Sequence, residues 1–84
     1  MGNSIQAYVL MDIEIGQLDK VVEQLRLIQQ ANKIAVVTGH YDIIMRIQVE
    51  SLEQLYDITV QRIHTIPGIR ETTTAVIEKI YVVH

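Results

Sequence analysis

No cysteine, tryptophan or phenylalanine occurs in these 84 residues, and proline occurs once. The missing cysteine excludes disulfides, thiolate metal sites and nucleophilic thiol chemistry. The four glycines, Gly2, Gly16, Gly39 and Gly68, are isolated from one another, so neither a P-loop nor a dinucleotide-binding glycine pattern can be built. No nucleophile elbow and no Ser-His-Asp order is present. The histidines His40, His64 and His84 are not paired at ligand spacing, and the nearest acidic neighbour of His40 is Asp42. A metal site wants two or more such groups on one face of one element. Asp12 with Glu14, and the separate Glu50 and Glu53, read as solvated edges. No catalytic residue, metal or cofactor is expected.

Positive charge is also scarce. Lys and Arg number 7 against 10 Asp and Glu, for a net charge of −3 and a pI near 5.4. That sign opposes the basic footprint of a phosphate-backbone binder, so direct nucleic-acid binding is not expected. No apolar run approaches the roughly 20 residues of a membrane span, and the first residues lack a basic segment followed by an apolar one. The reading is cytoplasmic, without membrane contact.

What the chain does have is aliphatic surface, 49% apolar residues dominated by Ile and Val. Residues 1–84 suit a single domain, and one this small buries only about 60–65% of its unfolded surface. With no disulfide or thiolate metal site to add stability, self-association is the remaining source of burial. A homo-oligomer is expected.

Ile5, Ala7, Val9, Met11 and Ile13 alternate along a first strand whose other face carries Tyr8 and Leu10 at its centre. After Gly16, Leu18, Val21, Val22, Leu25 and Ile28 form the apolar stripe of a helix that fades at Ala31 and Asn32. The β-branched run Ile34–Val37 predicts a second strand, Thr38–Asp42 a glycine-containing loop, and Ile43–Val49 a third strand closing a hairpin. Ser51, three residues before Gln54, opens a second helix with a capping-box pattern and the stripe Leu52, Leu55, Tyr56, Thr59, Ile63 and Ile66. Pro67-Gly68 stops it, and Arg70–Val82 reads as a long fourth strand.

The order βαββαβ implies an α+β ferredoxin-like plait, a four-stranded antiparallel sheet with two helices on one face. Tyr8, Leu10 and Ile44 then lie on the face the helices leave open, where a second copy is expected to pack. In the loop, Gly39 allows close approach of a ligand to backbone amides, Tyr41 gives an aromatic wall with a hydroxyl, and Asp42 offers acceptors for an ammonium group. The same residues also suit plain turn chemistry, with Asp42 bonded to nearby backbone.

Taken together, Ala7-Tyr8-Val9, the hairpin Val37-Thr38-Gly39-His40-Tyr41-Asp42-Ile43-Ile44, and Ile66-Pro67-Gly68-Ile69 followed by Thr72-Thr73-Thr74 mark a family. The chain resembles the effector-binding RAM domain of the Lrp/AsnC (leucine-responsive, feast/famine) transcriptional regulators over nearly its full length. The resemblance implies dimers formed through the sheets, octamer- or decamer-like rings of dimers, and free amino acids bound between dimers. It carries over Gly39, Tyr41 and Asp42 of the hairpin loop and Thr72 and Thr74 of the fourth strand as ligand-binding residues. His40 and Thr73 fall at variable positions and are not carried over. With no helix-turn-helix ahead of the first strand, the chain looks like the stand-alone members, which implies an indirect role in transcription or metabolism, alone or with a full-length Lrp/AsnC regulator.

Two alternatives share the plait. One is a small dimeric α+β-barrel enzyme, a cofactor-free monooxygenase or isomerase, in which His40, Tyr41 or His64 would be catalytic and a cavity would lie between sheet and helices. The other is an ACT-like amino-acid-binding module, differing in how subunits associate.

Overall fold

In the computed structural model, which describes residues 4–84, β1 (Ile5–Ile13), α1 (Leu18–Leu25), β2 (Ala31–Val36), β3 (Ile43–Val49), α2 (Leu52–Ile58) and β4 (Ile69–Val76) follow in the expected βαββαβ order. A π-helical turn, Thr59–Ile63, continues α2. The antiparallel sheet has the order β2-β3-β1-β4. Among the described residues, no helix is long and apolar enough to cross a membrane.

Alternation decides the layers. Register pairs Val9 with Met45 and Met11 with Ile43, and these side chains are fully buried beneath Val21 and Leu25 of α1 and Ile63 at the end of the π turn. Each such side chain contributes roughly 1.5–3 kcal/mol by leaving water. The space between sheet and helices is therefore packed core.

The other face is open, as the alternation requires. Leu10 pairs with Ile44 and Tyr8 with Arg46; Leu10 and Ile44 are half-buried and Tyr8 is exposed. Beside them the Arg46 guanidinium lies 5.9 Å from the centre of the Tyr8 ring and donates to Gln6 Oε1. The Arg46 Nε is buried and finds no acceptor among the described residues.

Three boundaries differ from the periodicity. The first helix ends at Leu25, after which Leu27 N–H donates to Gln24 O and Ile28 N–H to Leu25 O, a tighter turn that still buries Ile28. The second strand begins at Ala31 rather than Ile34, because Gln48 N–H donates to Gln30 O and a register shift between Ala31 and Lys33 absorbs the polar pair Asn32-Lys33. The fourth strand stops at Val76 rather than Val82. Its last contact with β1 is the Ile77 N–H to Gln6 O bond of 2.8 Å, and β1 itself starts at Ile5.

Two turns are fixed by their own chemistry. Ser51 Oγ accepts from Gln54 N–H at 3.0 Å, and Gln54 Oε1 accepts from Glu50 N–H at 2.7 Å, a capping box whose return bond falls one residue early. Gly68 sits at φ +100° with its ideal Cβ position 2.8 Å from Gln17 Cβ, while its carbonyl accepts from Glu14 N–H at 2.8 Å.

Candidate functional site

The hairpin loop leaves β2 through Val37, whose N–H donates to Asp42 O at 2.9 Å, and re-enters the sheet where Asp42 N–H donates to Met11 O at 2.9 Å. Asp42 closes this join from its side chain as well, Oδ2 accepting from Ile13 N–H at 2.8 Å. The carboxylate thus bonds backbone, that of β1 rather than its own turn. A carboxylate has about four lone-pair positions, so capacity remains for a second donor.

Between these anchors the chain is exposed. Gly39 stands at φ +138° with nothing within 4 Å of its ideal Cβ position, a conformation that L side chains adopt only with strain. The His40 and Tyr41 rings meet edge to face, centroids 5.0 Å apart. Among the described residues the backbone N–H groups of Gly39, His40 and Tyr41 donate no hydrogen bond. Three successive unpaired donors thus precede Asp42 in the chain.

The strand-four threonines divide by face. Thr72 pairs with Met11 and Thr74 with Val9, placing both on the helix side, whereas Thr73 pairs with Leu10 on the open side. Tyr41 reaches across β1 to Thr73, donating from its hydroxyl to Oγ1 at 3.4 Å. Within one chain, then, the loop meets Thr73 and not Thr72 or Thr74. Pairwise register, absent from a sequence, decides this.

Thr72 has a partner that sequence reading missed. His64 Nε2 and Thr72 Oγ1 share a hydrogen bond of 2.9 Å, and both line an open depression of about 480 Å³ along β4 with Arg70 and Glu71. The π turn puts His64 there, because His64 N–H bonds back five residues to Thr59 O at 2.9 Å and so shifts the side chain relative to an α-helical continuation. The threonines Thr59 and Thr65, which donate to Leu55 O and Gln61 O, are a weak local signal for such a distortion.

Residues 6–84 match the family model of the Lrp/AsnC ligand binding domain. The chain belongs to the Lrp/AsnC ligand-binding domain family. An uncharacterized HTH-type transcriptional regulator of Pyrococcus abyssi is 30% identical over 79 residues, covering 94% of this chain and 50% of the relative. The chain spans about half the length of the curated relatives it matches. Among solved structures, a protein from Thermus thermophilus superposes with a TM-score of 0.87 at 26% identity, over 93% of this chain and 98% of that one. Escherichia coli AsnC superposes with a TM-score of 0.89 at 17% identity, over 95% and 54% of the two chains. A feast or famine regulatory protein from M. tuberculosis, solved in complex with L-methionine, gives 0.76 at 22% identity, over 94% and 53%. These last two establish the Lrp/AsnC fold alone.

Proposed function

We propose that this Lrp/AsnC domain senses a free α-amino acid, bound between dimers, and transmits its presence through assembly to transcription or metabolism. The observation that carries this is the Gly39–Asp42 loop, in which three unpartnered amides directly precede Asp42, whose carboxylate is held against β1 by Ile13 N–H. The amides suit the ligand's carboxylate, the free lone pairs of Asp42 suit its ammonium, and the Tyr41 ring forms a wall. Thr72 and Thr74, which face away from this loop's neighbour Thr73, supply hydroxyls to the site from an adjacent subunit. The methionine bound to the M. tuberculosis neighbour is a ligand of the same class.

In this reading the ring of dimers is octamer- or decamer-like, the compartment is the cytoplasm, and the regulated partner is a full-length Lrp/AsnC regulator. No catalytic step is assigned. Calorimetric titration of the twenty amino acids tests the site. At least one binds the parent protein, and Gly39→Val and Tyr41→Ala each weaken it about tenfold or more while the assembly state is kept. Absence of any binding at millimolar ligand, or equal binding by both variants, refutes the assignment.

A further inference from the structure

Strand β4 pairs with β1 on one side only. Along its free side, the open depression of about 480 Å³ is walled by His64, Arg70, Glu71, Thr72 and Thr73, with Ile69 the one apolar residue of the lining. So polar a hollow is out of keeping with a chain that is 49% apolar.

Its walls are also held in place rather than free in water. His64 Nε2 and Thr72 Oγ1 share their 2.9 Å hydrogen bond, Tyr41 donates to Thr73 Oγ1 at 3.4 Å, and Arg70 Nε lies 3.9 Å from Asp12 Oδ2. Through Thr73, the rim of the depression is tied to the Gly39–Asp42 loop. Thr72 already supplies a hydroxyl to the proposed amino-acid site, so a ligand side chain passing Thr72 has the depression before it.

We infer that the amino acid sensed by this chain carries a side-chain carboxamide, as in asparagine or glutamine, and that His64, Arg70 and Glu71 select it. The inference rests on the proposed amino-acid site and names its ligand more narrowly. Selection follows from the hydrogen-bonding groups left unspent. An uncharged imidazole has one donor and one acceptor nitrogen. With Nε2 engaged by Thr72, Nδ1 keeps the complementary capacity and has no partner among the described residues. The Arg70 guanidinium approaches Asp12 through Nε alone, which leaves its terminal N–H groups to donate. Ionised Glu71 only accepts. The lining therefore offers both donors and acceptors, and within it the charges of Arg70 and Glu71 cancel.

Each class of ligand side chain meets this set differently. A carboxamide oxygen accepts from Arg70 while its NH2 group donates to Glu71, and His64 is served by one or the other in either tautomer. A carboxylate gains Arg70 but faces Glu71 and has no hydrogen to give. An ammonium gains Glu71 but must stand beside the Arg70 guanidinium. An aliphatic side chain strips water from these polar groups and returns no hydrogen bond, which is the case a polar site rejects most strongly.

Calorimetric titration of the full chain compares glutamine with methionine and glutamate, which match its length, and asparagine with leucine and aspartate, with lysine as the basic ligand. Glutamine or asparagine binds about tenfold or more tightly than its matched pair and than lysine. His64→Ala changes an exposed side chain. It weakens carboxamide binding about fivefold or more and leaves methionine within about twofold, whereas His64→Gln, which keeps a polar group toward Thr72, stays near the parent. Glu71→Gln removes the repulsion of a ligand carboxylate and raises glutamate relative to glutamine by about tenfold. A residue that merely held β4 in shape would shift every ligand alike. If an aliphatic, acidic or basic amino acid binds the parent best, or the preference is unchanged in His64→Ala or in Glu71→Gln, carboxamide selection is wrong and amino-acid sensing stands. If none of the twenty amino acids binds at millimolar concentration, both fall.

Discussion

At Asp42 one side chain is asked for two tasks. Its Oδ2 ties the hairpin loop to β1 by accepting from Ile13 N–H at 2.8 Å, and in the proposed site its remaining lone pairs receive an ammonium. Asp42→Ala removes both, so lost affinity in that variant would not by itself identify a ligand contact. Asp42→Asn keeps a carbonyl oxygen for Ile13 and loses only the charge. In urea unfolding, Asp42→Ala is expected to cost about 1–3 kcal/mol through the orphaned amide, and Asp42→Asn less than half as much. Amino-acid affinity should fall in both. A pair of equally stable variants would show that the Ile13 bond contributes nothing.

Gly68 is the other residue whose identity the geometry demands. A Cβ at φ +100° would lie 2.8 Å from Gln17 Cβ and 3.1 Å from Val21 Cγ2, and both neighbours are held in place by α1. Gly68→Ala therefore combines backbone strain with a clash and should lower unfolding free energy by about 1–3 kcal/mol. Gly39→Ala meets no atom within 4 Å, so its cost is strain alone. Thermal unfolding of the two variants side by side should rank Gly68→Ala as the more damaging, and the opposite order would contradict the packing described.

At the scale of elements, the helix starts and the strand ends follow different rules. α2 begins where Ser51 Oγ accepts from Gln54 N–H, a local bond between residues three apart. Ser51→Ala should cost about 1 kcal/mol, measurable by chemical denaturation, with Ser51→Asp close to the parent because a carboxylate caps as well. No loss in Ser51→Ala would mean the cap is made by water instead. Strand ends depend on partners far along the chain. β4 has strand-forming sequence to Val82 but pairs with β1 only as far as Val76, because β1 begins at Ile5. The residues left over, 77–83, keep their strand propensity but belong to no element of the chain.

For the molecule as a whole, the open face with Tyr8, Leu10 and Ile44 and the exposed run after β4 predict association. Light scattering after size-exclusion chromatography should give a mass of at least twice 9.6 kDa at micromolar concentration, and a monomer would contradict the expectation drawn from a core this small. The net charge of −3 predicts the opposite outcome with DNA. Fluorescence anisotropy at moderate salt should detect no sequence-dependent binding by this chain, since a duplex is a polyanion and a negatively charged surface gains little from counterion release. Tight, sequence-dependent binding would overturn that reading.

The order of elements, the buried face of β1 and the capped start of α2 were legible in the sequence, because each depends on residues two to four positions apart. Val9 and Met11 alternate with Tyr8 and Leu10, and no tertiary contact is needed to see which set goes inside. The family was legible too, from the Gly39–Asp42 hairpin and the Pro67-Gly68 run with its threonines. Long-range pairing was not. That Tyr41 meets Thr73 while Thr72 meets His64 follows from the register of β4 against β1 and from a π turn that shifts the helix by one residue. Both are set by how core side chains mesh across the sheet, where a shift of one residue exchanges the faces. The sequence by itself determined which residues seek burial and which can turn; the tertiary structure decided which of them meet, because strand partners are chosen by packing across the whole sheet.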